Sequence, residues 1–284
     1  MSDACEAQAA LLAERLLVWL KDHRIPDRPY AVALSGGVDS AVVAQGAALS
    51  GCPAIAVTAR SDSVSAVERH DASELAASLG IEHHWVEPNE LSDPAYQQND
   101  VRRCYFCKSR LYAAILASFP QHQILSGTNH DDLGDYRPGL EAAAEASVQA
   151  PLAELSIGKS QVRQLARYWH LEVADKPASP CLASRIAYGV AVTLERLQRV
   201  ELAEQVLRDL GWGEFRVRLH AEEVARLEVP AASIERLASA ETRLRVVREL
   251  KQLGFRYVTL DLEGFRSGSL NPVFQISGQR SQLQ

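Results

Sequence analysis

Two hydrophobic periods alternate along the first part of the chain. Residues 7–23 repeat their apolar positions as a helix does, with Leu11, Leu12, Leu16 and Leu17 near one face. Pro26 and Pro29 end that segment. Residues 30–34 form a short apolar run, a six-residue turn follows, and residues 41–49 return to helical composition. The order strand, turn, helix then recurs. Residues 53–58 read as a second strand, 66–79 as a helix closed by Gly80, and 82–86 as a third, weaker strand. After a loop with Asn89, Asp93 and Pro94, residues 105–118 read as helix and 123–126 as strand. Strands alternating with helices predict an α/β fold whose parallel sheet is covered on both faces.

Near residue 190 the pattern changes. Residues 193–210 predict a long charged helix, and 214–220 alternate with period two, as a half-buried strand does. Residues 223–229 predict its neighbour, 231–253 a helix and 255–262 a last strand. The expected organisation is a first domain over 1–188 and a smaller α+β domain over 189–284, with a loose polar tail from Ser267.

Composition narrows the class. A chain of 284 residues, 47% hydrophobic and 23% charged, fits an ordinary soluble protein with a sizeable core. No run of eighteen apolar residues predicts a membrane span. The first residues lack a basic or apolar signal segment, so a cytoplasmic protein is expected. A net charge of −6 is a poor overall match to nucleic acid. Five cysteines in a reducing compartment predict thiols rather than disulfides.

The chemistry starts at Ser35-Gly36-Gly37-Val38-Asp39-Ser40, where a strand meets a helix. Ligands bind at that end of the strands in open parallel sheets. Two glycines let the backbone approach an anion, the helix start offers N–H groups, and two serines add hydroxyls. The hexapeptide is neither a Walker loop nor a dinucleotide fingerprint. It resembles the PP-loop of the ATP pyrophosphatase superfamily. That resemblance implies ATP cleaved between its α- and β-phosphates, with transfer of AMP to an acceptor oxygen. Adenylation builds charge on phosphate oxygens and calls for Mg2+. Asp39 is placed either to hold that metal or to cap the helix. Asp131, Asp132 and Asp135 follow a strand end, where metal or ribose contacts and at least one helix cap are expected. Lys159 opens a helix, as lysines near ATP do in this superfamily. Adenine is expected along the second strand, near Val57, Thr58 and Ala59.

Cys104 and Cys107 form a C-x-x-C, and Cys181 lies far downstream between Pro180 and Arg185. A pair of thiols at this spacing suits half a zinc site, a redox pair or two buried cysteines. No second pair supports a zinc site. Cys5 and Cys52 read as incidental. Lys108 faces either the ATP phosphates or the adenylated intermediate, or is simply a solvated helix lysine. Arg216 and Arg218 stand two apart on a strand and so share a face.

Four stretches together resemble the LarE family of ATP-dependent sulfur transferases. They are residues 103–108, residues 127–139, residues 176–185 and residues 215–218. The resemblance runs from residue 10 to about 262. It implies that pyridinium-3,5-biscarboxylic acid mononucleotide is adenylated on a carboxylate and then receives sulfur, twice, on the way to a nickel-pincer nucleotide. It implies that Cys104, Cys107 and Cys181 hold a [4Fe-4S] cluster, or else that Cys181 gives up its own sulfur. It assigns Ser35, Gly36, Gly37, Asp39, Ser40, Thr58, Gly127 and Lys159 to ATP. Arg185, Arg216 and Arg218 go to the substrate phosphate, and the protein is expected to be a homo-oligomer. A tRNA thiolase with the same loop is the competing expectation, disfavoured by the acidic balance. An ammonia-using synthetase would leave the cysteines without a task.

Overall fold

The structure is a computed structural model that describes residues 3–134, 137–177 and 179–266. The expectations placed on Asp135 and on the tail from Ser267 lie outside the described residues. The chain divides into two units. The first contains residues up to 96 and residues 100–180, and the second contains 97–99 together with the chain from 181 onward.

In the first unit four parallel strands stand in the order β3-β2-β1-β4, with β1 (Tyr30–Ala33), β2 (Ala54–Ala59), β3 (Glu82–Val86) and β4 (Gln123–Leu125). The helices are α1 (Asp3–Asp22), α2 (Val38–Ser50), α3 (Ala66–Ser78), α4 (Pro94–Gln97), α5 (Arg103–Ser118), α6 (Pro138–Glu145), α7 (Pro151–Glu154) and α8 (Lys159–Tyr168). Alternation along β1 divides the core. Tyr30, Val32 and Leu34 point into one cluster with α1, α2 and α8, whereas Ala31 joins Val57, Tyr112 and Ile124 on the opposite face. The buried stripe of α1 is Leu12, Ala13, Leu16, Trp19 and Leu20, while Leu11 is 58% exposed, so the expected face turns by one position. Buried Tyr30 donates its hydroxyl to Leu20 O at 2.7 Å, and burial pushes its pKa up to about 12. A capping box at Ser65 and Glu68 starts α3, and Gly80, at φ +63°, follows its end as expected.

The second unit holds α9 (Leu194–Asp209), α10 (Ile234–Ala238) and α11 (Ala240–Gln252) with β5 (Arg216–His220), β6 (Val224–Glu228) and β7 (Tyr257–Leu260). Its sheet runs β5-β6-β7, antiparallel at the first pairing and parallel at the second. The single helix expected over 231–253 is broken at Ser239, whose ψ of 147° is extended. Asn99 is fully buried in this unit at φ +55°. Its side-chain amide donates to Ala187 O at 2.9 Å and Val190 O at 2.8 Å, and its backbone carbonyl accepts Gly189 N–H.

Three histidines make stability depend on pH. Burial, then the neighbouring His84, holds His83 and His122 below their ordinary value of 6.5, and burial does the same to His220. The folded chain therefore keeps them neutral, while the unfolded chain protonates them near 6.5. The unfolded state binds more protons in that window, so stability rises with pH through it. The contribution is complete above about pH 6.5 and is lost as pH falls from there through the depressed values. Tm is expected to fall between pH 7.5 and 5, before most carboxylates titrate, by about 2–4 °C per kcal/mol lost. Calorimetric scans across that range check it, and a flat Tm contradicts it.

Candidate active site

The order of strands places a switch point between β1 and β4. From β1 the chain steps to β2 and β3 on one side, then crosses to β4 on the other. At such a reversal the loops leaving the two strands diverge and open a crevice at their carboxyl ends. The glycine loop leaves β1, and Ser126 to Asn129 leave β4.

The glycine loop is held by its own serines. Ser35 N–H donates to Ser40 Oγ at 3.1 Å, and Ser40 Oγ donates to Gly37 O at 3.0 Å. Ser40 is 3% exposed, so its hydroxyl shapes the loop from inside. Gly36 has φ +74°, and a Cβ there would stand 3.4 Å from the Ala72 backbone of α3. The contact with Ala72 is an ordinary one, so it is the positive φ that selects glycine there. Gly37 is the N-cap of α2 and supplies no side-chain cap, so the first-turn N–H groups face the crevice without one.

Gly127 presses on the same helix start. A Cβ on it would lie 2.5 Å from Ser40 N and 2.9 Å from Asp39 C. The β4 loop thus touches α2 backbone to backbone. Asp39 does not cap its helix. Its carboxylate accepts Asn129 Nδ2 at 3.1 Å and pairs with Lys159 Nζ at 2.5 Å. Asp131 caps α8, accepting Lys159 N–H at 2.7 Å. Asp132 accepts Asn129 N–H at 3.0 Å and pairs with Arg137 at 2.8 Å. Sequence reasoning brought together Gly127, Lys159 and the glycine loop, but missed Asn129, the residue that joins them.

Thr58 is buried, and its hydroxyl donates to Leu34 O at 2.8 Å while contacting His83 Nε2 at 2.8 Å. It braces the end of β1 from the next strand. Val57 beside it is also buried.

Cys104 and Cys107 sit one turn apart at the start of α5, the first exposed and the second partly so. That start is anchored by Arg102, which forks onto Glu141 at 3.1 and 3.0 Å and lies 4.4 Å from the Tyr105 ring centre. The Lys108 stem lies against Gly139, with its ammonium 5.9 Å from the Tyr112 ring centre.

In the second unit Cys181 precedes a short turn (Leu182–Arg185). Its carbonyl accepts Ser184 Oγ at 2.7 Å and an Arg185 nitrogen at 3.2 Å. Arg185 is buried and pairs with buried Glu204 at 3.0 Å. Arg218 is buried too and pairs with Glu228 at 2.9 Å, which also takes Arg226. Glu228 stands opposite Arg216 in the strand register, yet its carboxylate goes to those two. Arg216 donates to Phe215 O at 2.7 Å and lies 5.0 Å from the Phe265 ring centre. It forms no ion pair among the described residues. Burial, then repulsion from Arg185, lowers its pKa. A half-buried guanidinium with two cationic neighbours is suited to an incoming anion.

All five cysteines are free thiols. Among the described residues no three His, Cys, Asp or Glu side chains are grouped to hold a metal ion. Among the described residues no helix is long and apolar enough to cross a membrane.

The chain is similar to several known proteins. The asparagine synthase family model matches residues 12–99. The chain is 38% identical over 245 residues to pyridinium-3,5-bisthiocarboxylic acid mononucleotide synthase of Lactiplantibacillus plantarum, covering 84% of this chain and 88% of that one. An uncharacterised Synechocystis protein is 44% identical over 246 residues, 85% of this chain and 91% of its own. An uncharacterised protein of Methanocaldococcus jannaschii is 29% identical over 173 residues, 60% of this chain and 66% of its own.

Proposed function

We propose, for a chain that belongs to the LarE family of PP-loop sulfur transferases, that it converts the carboxylates of pyridinium-3,5-biscarboxylic acid mononucleotide to thiocarboxylates. It is an ATP-using sulfurtransferase of the adenylating type. The observation that carries the substrate reading is likeness to the Lactiplantibacillus synthase over most of both chains, joined to a glycine loop at the switch point of the sheet.

In this reading a substrate carboxylate oxygen attacks the α-phosphorus of ATP. Pyrophosphate leaves, and an acyl-adenylate forms. A sulfur nucleophile then attacks the acyl carbon and AMP departs, leaving a thiocarboxylate. Two such rounds give the dithiocarboxylate. The first-turn N–H groups of α2 hold phosphate oxygens, and Lys159 offsets their growing charge. Asp39 is the carboxylate that would hold Mg2+, an oxygen donor of the kind that ion takes, and Asn129 orients it. Cys104 and Cys107 stand one turn apart on α5, and by family resemblance these two and Cys181 are the thiolates that would hold a [4Fe-4S] cluster. Such a cluster would supply an iron with a vacant position for exogenous sulfide. The protein is read as a cytoplasmic homo-oligomer acting on a small nucleotide rather than on nucleic acid.

The test is a turnover with ATP, Mg2+, a sulfide source and the biscarboxylate nucleotide. Product mass is expected to show one and then two oxygen-to-sulfur exchanges, with AMP and pyrophosphate released. Sulfur appearing in tRNA and not in the nucleotide overturns the reading.

Arg216 tests the phosphate site. Arg216→Glu is expected to raise the KM for the nucleotide by about 10- to 100-fold, the cost of a charged hydrogen bond turned repulsive. The KM for ATP should stay unchanged. Steady-state kinetics with each substrate varied in turn check this, and an unmoved nucleotide KM contradicts it.

A further inference from the structure

Lys176 takes no part in the chemistry above. It follows the short turn Glu172–Asp175, and its backbone is pinned on both sides. Its N–H donates to Val173 O at 3.1 Å, and its carbonyl accepts an Arg163 nitrogen at 3.1 Å. The ammonium then reaches across the first unit to two groups. It pairs with Asp71 Oδ2 of α3 at 2.7 Å and donates to Gly36 O at 3.2 Å.

Gly36 O belongs to the peptide that joins the two loop glycines. A trans peptide is planar, with its C=O and N–H pointing in opposite directions. Fixing the carbonyl toward Lys176 therefore turns the Gly37 N–H the other way, toward the start of α2. The only hydrogen bond that N–H makes within the loop, to Ser35 Oγ, is long at 3.4 Å. A peptide flanked by two glycines rotates at little steric cost. Released, it can present its carbonyl oxygen to a phosphate instead of its N–H. Asp71 keeps the ammonium in place and partly offsets its charge.

We infer that Lys176 is a positioning residue of the PP-loop: seated on Asp71, it holds the Gly36–Gly37 peptide with its N–H aimed at the phosphates of the nucleotide. The inference rests on the ATP reading of this loop and adds a residue to it. Lys176 acts through the peptide and needs no contact with the nucleotide.

Calorimetric titrations of the full-length protein with ATP and with adenosine test it. Lys176→Met is expected to weaken ATP by about 10- to 100-fold, the range set by losing one charged hydrogen bond, and to leave adenosine affinity unchanged. Lys176→Arg should recover most of the ATP affinity, and Asp71→Asn should shift it the same way as Lys176→Met by less. In kinetics the loss should appear in the KM for ATP, with kcat at saturating ATP little changed. Equal weakening of ATP and adenosine, or unchanged ATP affinity, overturns the inference. If Lys176→Met does not fold, Asp71→Asn and Lys176→Arg decide by the same ratio. A wild-type protein that binds adenosine-free inorganic pyrophosphate but not ATP, or neither, overturns the ATP reading and this inference with it. ATP binding that ignores Lys176 overturns the inference alone.

Discussion

Gly127→Ala is expected to cut adenylation by about 100-fold or more, because a displacement of roughly 1 Å in a catalytic constellation has that effect. The added methyl would stand 2.5 Å from Ser40 N and 2.9 Å from Asp39 C. Neither neighbour is the tip of a flexible side chain. Both are backbone atoms of the first turn of α2, so either that turn or the β4 loop has to move. Asp39 would move with the turn, and Asn129 with the loop, which breaks the 3.1 Å bond between them. Overpacking of this kind also costs stability, typically about 1–3 kcal/mol. The two effects separate in experiment. ATP–pyrophosphate exchange reads the first and thermal unfolding the second. Exchange at the wild-type rate would mean that the two loops do not form one site.

The second large effect concerns sulfur. Cys181→Ala is expected to abolish thiocarboxylate formation while ATP–pyrophosphate exchange with the nucleotide continues. Adenylation calls on the PP-loop, Asp39 and Lys159 rather than on a thiol. Sulfur delivery needs a thiolate. Cys104→Ala and Cys107→Ala should behave like Cys181→Ala, because a three-thiolate cluster does not tolerate loss of one ligand in three. Iron and sulfide, counted after anaerobic reconstitution, should fall in all three variants. The opposite pattern would be sulfur product from Cys104→Ala and Cys107→Ala, with dehydroalanine at Cys181 after one turnover. That result replaces the cluster with Cys181 as sacrificial donor, its Cβ–Sγ bond broken and its sulfur carried into the product.

The parts of this molecule that were legible in its sequence are those governed by local period. Alternation along β1 and the glycine hexapeptide after it show at once where a strand meets a helix, and the sheet follows. Helices α6 and α7 escaped because each is short and starts with proline, which reads as a breaker although it suits the first helical turn. Ser239 hid inside an amphipathic pattern that continues through it. Among site residues, Gly127 and Lys159 were found through their motifs. Lys176 and Asp71 were not, since the ammonium and the carboxylate are 105 positions apart and nothing periodic connects them. The spacing of Arg216 and Arg218 announces a shared face. It does not announce that Glu228 neutralises one and leaves the other, because that depends on side-chain direction across the strand register.

Residues 97–99 lie early in the chain but belong with the second unit, where Asn99 holds the carbonyls of Ala187 and Val190. The two units are therefore not separable modules along the polypeptide. A fragment that begins at Cys181 lacks the amide that satisfies those carbonyls, and a chimera joined at residue 180 brings in a stranger's asparagine or none at all. Recombination that respects the fold has to carry the short early segment along with the late one. Three residues, 97–99, thus tie the boundaries of the second unit to a point inside the first.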